Sequence, residues 1–316
     1  MAMTDHRTTR PLLAVAAIGS LCLGLTACGG SSGSISVSPP SQAATGSSAA
    51  PTSDASSPST SSSAPTSSEA TPSTSDSTAA AGDFKVGQCI GDTIDWATAP
   101  CDQPHKMEIM AVVKTSKDAD DIIKRGRLRT WTCNNQLAGY LGSPSAGFSR
   151  ILAQPVPAAS DPKANQQIVC AAASVKPDDS GYEEISYQLK NRIKKVGYIP
   201  YRICTSDRPS KTDSPKIVPC TEPHKAETIG GYVIGKADGK PPTSKVVDKL
   251  ALSKCVPLAK SYLGGTRGDV IAAANSTGSS GWKQGTTMTA CFVEATSGTF
   301  TKPLKGMKNK PLSAYK

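Results

Sequence analysis

A short motif that contains cysteine, histidine and glutamate occurs twice in the chain. The sequence Pro-Cys-x-x-Pro-His-x-x-Glu begins at Pro100 and again at Pro219. Cysteine and histidine are ligands for zinc, and histidine and glutamate side chains serve general acid–base catalysis. A repeat distance of about 120 residues is too long for a solenoid repeat and indicates a duplicated domain. The candidate functional residues are one pair in each copy: His105, Glu108, His224 and Glu227.

These residue types allow three interpretations. A proline fixes the backbone before each histidine, and an imidazole in such a turn can cap carbonyl oxygens, which favours a structural role. One copy alone offers too few ligands for a structural zinc site, but two copies that face each other would bring all four side chains into one nitrogen–oxygen site. A hydrolase is the third interpretation, although the Gly-x-Ser-x-Gly, His-Glu-x-x-His and phosphate-binding glycine motifs are missing. We therefore predict a non-enzymatic protein with no catalytic residues, no cofactor and no metal, the alternative being a His/Glu-based metal-binding protein or hydrolase of the cell envelope.

The N-terminus has the pattern of a lipoprotein signal peptide. Arg7 and Arg10 precede an apolar stretch at residues 12–25, and a Leu-Thr-Ala-Cys box ends at Cys28. Small residues before the cysteine suit cleavage, and the Cys28 thiol would take a diacylglycerol with palmitate-type chains. An ordinary signal peptide or a membrane helix is the alternative, but the apolar run is too short to span a bilayer comfortably. We predict a lipid anchor at Cys28 that holds the protein on the extracytoplasmic face of the cell membrane.

Eight of the ten cysteines fall within the two copies, four in each. An even number per copy in an exported chain predicts disulfide bonds. Four cysteines allow three pairings, and their order favours first with second and third with fourth. No Cys-x-x-Cys pair supports a thioredoxin-like redox role. The predicted disulfide cysteines are Cys89, Cys101, Cys133, Cys170, Cys204, Cys220, Cys255 and Cys291.

Hydrophobic periodicity predicts the order strand, strand, helix, strand, strand in each copy. Strands are expected at residues 107–113, 151–156, 167–173, 228–234 and 286–294, and helices at 117–140 and 244–263. Gly142 is a fitting end for the first helix, whereas Pro257 should kink or divide the second. The predicted fold class is α+β: two tandem disulfide-stapled domains, each a small antiparallel sheet packed on one helix, after a disordered tether.

Composition sets the boundaries between these parts. Residues 28–82 consist almost wholly of Ser, Thr, Ala, Pro and Gly, and every aromatic residue of the chain follows them. Such a segment cannot build a core, so we predict a disordered tether. The predicted parts are a signal peptide at 1–27, the tether at 28–82, a first domain at 83–176, a connector at 177–197, a second domain at 198–300 and a basic tail at 301–316.

The chain carries a formal net charge of +10. Outside the cytoplasm, such a balance suits anionic lipid headgroups or cell-wall phosphates rather than nucleic acid. The expected partners are the membrane, through the lipid anchor, and an envelope protein or an anionic cell-wall polymer. A basic surface with no particular partner is the plainer alternative.

Several spaced motifs together resemble the actinobacterial septum-formation domain family. They are Val86-Gly87-x-Cys89, the two Pro-Cys-x-x-Pro-His-x-x-Glu motifs, a Cys-x6-Tyr-Leu-Gly element that ends at Gly142 and again at Gly264, and Trp282-x-x-Gly285. The first copy departs from this pattern, since Asp161 stands where the tryptophan is expected. The resemblance implies a repeated α+β envelope domain with a role in septum formation, and it carries over no catalytic residue.

Overall fold

The computed structural model of the protein describes residues 84–92, 96–157 and 166–316. The predicted signal peptide, Cys28, the predicted tether and Asp161 lie outside the described residues. Within the described ranges, no helix is both long and apolar enough to cross a membrane.

The first half of the described chain, residues 84–201, is a five-stranded antiparallel sheet covered by one long helix. Its strands lie in the order β2-β1-β3-β5-β4. The elements are β1 (Cys89–Ile90), β2 (Thr98–Ala99), β3 (Met107–Lys114), α1 (Ile122–Leu141), β4 (Ile151–Pro155), β5 (Gln167–Ser174) and α2 (Arg192–Val196), followed by a 3₁₀ turn at Ile199–Tyr201.

The second half, residues 202–316, repeats this architecture with the strand order β7-β6-β8-β10-β9. Its elements are β6 (Cys204–Thr205), β7 (Ile217–Val218), β8 (Ala226–Val233), α3 (Ser244–Leu263), β9 (Val270–Ser276), α4 (Ser279–Lys283), β10 (Met288–Ala295) and a 3₁₀ turn at Leu312–Tyr315. The predicted α+β class, with two antiparallel sheets that each pack on one helix, is confirmed.

The helix boundaries follow from local chemistry. Asp121 caps the start of α1, because its carboxylate accepts hydrogen bonds from the backbone of Ile123 and Lys124 at 3.1 and 2.9 Å. The helix therefore begins later than predicted, and it ends at Gly142, whose φ of 77° is the left-handed value expected at a C-terminal cap. In α3 one helix continues through Pro257, so of the two predicted outcomes, a kink or a division, the division does not occur.

All eight predicted cysteines form disulfide bonds, and the predicted order of pairing is confirmed. Each half has one bond that closes a short loop and one that ties its long helix to its sheet. The pairs are Cys89–Cys101 and Cys133–Cys170 in the first half, and Cys204–Cys220 and Cys255–Cys291 in the second. No disulfide joins the two halves among these residues.

Each half is completed by a segment that follows its last strand, which we call its closing segment. In the first half this is residues 185–201, which bury Ile185, Leu189 and Ile193 against the core. In the second half it is residues 300–315, which bury Phe300, Leu304 and Met307. The predicted connector and the predicted basic tail thus contribute to the two hydrophobic cores.

The two halves contact each other at several places, one of which lies around Gly235 and Gly285. Trp282 packs directly on Gly235, where an added Cβ would meet the indole at 2.3 Å. The indole N–H of Trp131, in the first half, donates to the carbonyl oxygen of Gly235 at 2.8 Å. A Cβ on Gly285 would lie 2.1 Å from the carbonyl oxygen of Arg127. Gly285 therefore allows the halves to approach, whereas Gly235 leaves room for Trp282 of its own half.

Candidate functional site

The repeated histidine and glutamate lie in the interior of each half. His105 and His224 follow the turn closed by the short disulfide, and each forms an antiparallel bridge with its closing segment. The partner of His105 is Ile185, with backbone N···O distances of 2.9 Å in both directions. The partner of His224 is Phe300, at 3.0 and 2.9 Å. The motif thus joins the disulfide loop, the central strand and the closing segment.

Each imidazole caps a carbonyl oxygen two residues before it. The Nδ1 of His105 lies 2.8 Å from the Gln103 oxygen, and that of His224 lies 2.7 Å from the Glu222 oxygen. Because a carbonyl oxygen only accepts, Nδ1 carries the proton in both rings. Both Nε2 atoms are buried and have no hydrogen-bond partner among the described residues. Burial lowers the pKa of His224, so its ring is neutral at pH 7.

The buried glutamate of each motif is held by a tyrosine of the long helix and by the closing segment. The hydroxyl of Tyr140 and the backbone N–H of Leu189 donate to Glu108.

In the second half, the Tyr262 hydroxyl and the Leu304 N–H donate to Glu227 at 3.0 and 2.7 Å. Burial and the neighbouring carboxylate raise the pKa of both tyrosines, so their hydroxyls stay protonated as donors. We call His105, Glu108 and Tyr140 the first polar cluster, and His224, Glu227 and Tyr262 the second.

An arginine distinguishes the second polar cluster. The Nε of Arg202 lies 2.9 Å from Oε2 of Glu227, close enough for an ion pair, although the N–H bond does not point at that oxygen. Burial nevertheless raises the pKa of Glu227 from 4.5 to about 7, against the opposing effects of the Leu304 N–H, Arg202 and Tyr262. The carboxyl is therefore poised between its neutral and ionised forms near pH 7.

The joint metal site that the alternative interpretation requires is not formed among the described residues, because the two clusters belong to separate sheets. Among the described residues, one group has the proximity that a metal site needs: Cys204, His224 and Glu227, whose ligand atoms lie within 4.8 Å of one another. Its cysteine is bonded to Cys220, and a disulfide sulfur is not a thiolate ligand. The alternative in which His105, Glu108, His224 and Glu227 face each other in one site therefore does not occur among the described residues.

Sequence reasoning missed the tyrosines, Arg202 and the closing segments as parts of these clusters. A signal for the tyrosines was present, since the Cys-x6-Tyr-Leu-Gly element recurs with the Pro-Cys-x-x-Pro-His-x-x-Glu motif. In the structure the two elements meet: the tyrosine holds the glutamate, the leucine is buried and the glycine ends the helix. The side chains of His105, Glu108, His224 and Glu227 are fully buried, and their geometry supports the fold around them.

The chain matches a known protein family. The family described as septum formation matches residues 122–291, which is more than half of the 316-residue chain. The match runs from α1 to β10 without a break, so it spans both halves. No curated protein and no solved structure matches the chain.

Proposed function

Because the chain belongs to the septum-formation family, its role relates to the septum or the cell wall, and we propose that it acts there as a binding or scaffolding protein rather than as an enzyme. We further propose that Cys28 carries a lipid that holds the protein on the extracytoplasmic face of the cell membrane. The partners in this proposal are the membrane and an envelope protein or anionic cell-wall polymer.

The observation that supports the non-enzymatic role is the burial of the histidine and the glutamate in both polar clusters. His105, Glu108, His224 and Glu227 have no exposed surface. Their hydrogen bonds go to carbonyls, tyrosines and closing segments of their own half. A catalytic acid or base must reach a substrate, whereas these groups reach only protein. Their arrangement favours a structural role, so in this proposal the function depends on residues of the outer surface.

The test of location uses two cysteine variants of the tagged full chain. Wild-type protein is expected to concentrate at division septa and to fractionate with membranes. Cys28→Ala should release it, because a diacyl modification is the strong membrane attachment proposed here. Cys22→Ala is the matched control, since Cys22 lies in the predicted signal peptide and would be removed with it. Membrane retention of Cys28→Ala after a high-salt wash would refute the lipid anchor, and a uniform envelope signal would refute the septal role.

The enzymatic alternative is tested by metal analysis of purified protein with its disulfides intact. The proposal expects no stoichiometric metal, because Cys204 is oxidised. A bound metal that is lost in His224→Ala and retained in His105→Ala would instead establish the Cys204, His224 and Glu227 group as a metal site.

A further inference from the structure

The outer strand of the second sheet, β9, has one free edge. Thr277 donates its backbone N–H to Met288, and Thr296 donates to Asp269. Because hydrogen-bonded pairs alternate along an antiparallel ladder, Ala273 and Asn275 face β10, while Ala272 and Ala274 direct their N–H and C=O groups outward. Among the described residues, these outward groups have no hydrogen-bond partner.

A groove with a volume of about 640 Å³ runs along this free edge. Its floor is formed by residues 272–276 of β9. One wall is α3, through Val247, Asp248 and Leu252, and the other is the loop that includes Pro209 and Asp213. An extended backbone that lies along this edge would meet unsatisfied main-chain groups at every second residue, which is the repeat that strand addition requires.

Natural sheets protect long edges with lysine, proline or a covering segment. β9 has neither proline nor a charged residue in its seven positions, Val270–Ser276. The equivalent edge strand of the first half, β4, ends in Pro155 and borders a cavity of about 510 Å³ whose opposite wall includes Thr277 and Thr286 of the second half. The edge of β4 thus carries a proline that the edge of β9 lacks.

The groove also differs in charge from the protein as a whole. Asp213 and Asp248 are its charged lining residues, although the chain has a net charge of +10. Neither carboxylate takes part in an ion pair within the described residues. Half of the other lining residues are proline, valine, leucine or alanine, and most of the rest are serine, threonine or asparagine. These features favour an occupant with small, partly apolar side chains and a positive charge.

We propose that this groove binds an extended peptide segment of a partner protein, which adds to β9 as a sixth strand and carries small apolar side chains and a lysine or arginine. This inference names the partner class for the proposed binding role and rests on it.

The probes are three blocked hexapeptides with alternating valine and alanine, which carry a lysine, a glutamate or no charge. Binding to the full chain is measured by calorimetry. We expect the lysine peptide to bind most tightly and the glutamate peptide about tenfold more weakly, which corresponds to about 1.4 kcal/mol. N-methylation of alternate amides in the lysine peptide removes main-chain donors and keeps every side chain, and it should weaken binding at least about tenfold.

Ala274→Pro is the matched variant of the protein. Ala274 pairs with Cys291 as Pro155 pairs with Cys170, so the substitution installs the residue that the first half already has at this edge position. It removes one outward N–H and no bond to β10. We expect it to weaken binding of the lysine peptide about tenfold. Ala274→Ser retains the N–H and should bind as the wild type does.

Three results would overturn the proposal. They are no binding of any peptide to the wild-type chain, equal binding of the N-methylated peptide, and a dimer in light scattering that Ala274→Pro abolishes, because the occupant would then be a second copy. The N-methylated peptide needs no protein variant, so the test stands even if Ala274→Pro fails to fold. Septal localisation with no peptide binding would refute this site alone, whereas peptide binding without septal localisation would refute the proposed septal role.

Discussion

The two halves of the molecule have the same scaffold and differ at the partner of the buried glutamate. Gly87 in the first half and Arg202 in the second both lie two residues before the first disulfide cysteine of their half. The sulfurs of Cys101 and Cys220 lie 3.4 and 3.7 Å from the carbonyl oxygens of these two residues. The same position thus carries a cation in one half and no side chain in the other.

The backbone explains why the arginine is present in one half only. Gly87 has a φ of 90°, a left-handed value that an arginine adopts only with strain, whereas Arg202 has a φ of −69°. The tyrosine and closing-segment contacts to the glutamate are retained in both halves. This difference indicates that those contacts are the basic requirement of the fold, and that the ion pair is an addition in the second half.

Removing a helix-to-sheet disulfide should have the largest effect, and it tests whether the scaffolds of the two halves are equivalent. The helix-to-sheet disulfides Cys133–Cys170 and Cys255–Cys291 have sequence separations of 37 and 36 residues. Replacing either pair by alanines should lower the free energy of unfolding by about 4 kcal/mol, since the loops they close are of equal size. Urea denaturation measures both losses. A loss in one half less than half that in the other would contradict the equivalence.

Removing the arginine tests the difference between the halves directly. Arg202→Met leaves Glu227 buried without its counter-charge, and we expect a loss of about 2–3 kcal/mol at pH 7.5, below the usual cost because the carboxyl can take up a proton. The control is the double variant Arg202→Met with Glu227→Gln, which removes both charges. It should be more stable than Arg202→Met alone, and a double variant that is no better would show that the ion pair has little effect.

The raised pKa of Glu227 predicts a pH dependence of stability. The folded protein holds the Glu227 proton up to about pH 7, whereas the unfolded chain loses it near 4.5. The stabilisation is therefore complete below about pH 4.5 and is lost progressively as the pH rises to the folded pKa of about 7, by about 1.4 kcal/mol per pH unit. Because the lowered pKa of His224 acts in the opposite direction, the measurement is the difference between wild type and Glu227→Gln across this range. A difference that is constant with pH would contradict the prediction.

The smallest effect distinguishes the two histidines. The ring of His224 packs against Phe300 with 4.3 Å between centroids, whereas His105 faces Ile185. Both alanine variants should destabilise the protein, and His224→Ala should cost about 1 kcal/mol more because it also loses an aromatic contact. Thermal unfolding of each variant and of the pair measures this. Equal losses would show that the ring contact adds nothing.

The sequence was sufficient to predict the fold class, the disulfide pairs and the end of α1, because these depend on spacing and local residue chemistry. A strand before β10 was predicted but not located, since the run of alanines in β9 has weak strand propensity and is ordered by pairing with β10. The short strands β1, β2, β6 and β7 have two residues each and leave no periodic signal. Such elements exist because neighbouring strands provide their hydrogen bonds.

The polar clusters were predicted only in part for a related reason. Spacing identified His105 and Glu108, but their partners Tyr140 and Leu189 are distant in the chain and are brought close by the fold. The closing segments were also hidden, because Leu304 and Met307 stand singly in a lysine-rich stretch. A buried side chain without periodic neighbours cannot be told from a surface one by pattern alone.

The closing segments also impose an order on folding. A chain is synthesised from its N-terminus, and domains fold as their residues emerge. The first half has all the residues of its core once Tyr201 has been made, whereas the second half must wait for Leu304 and Met307. During that interval Glu227 lacks the hydrogen bond from the Leu304 N–H, and the C-terminal end of α3 lacks its contacts with the closing segment. The earlier-folded half, which contacts Gly235 through Trp131, is then a preformed surface on which the later half can assemble.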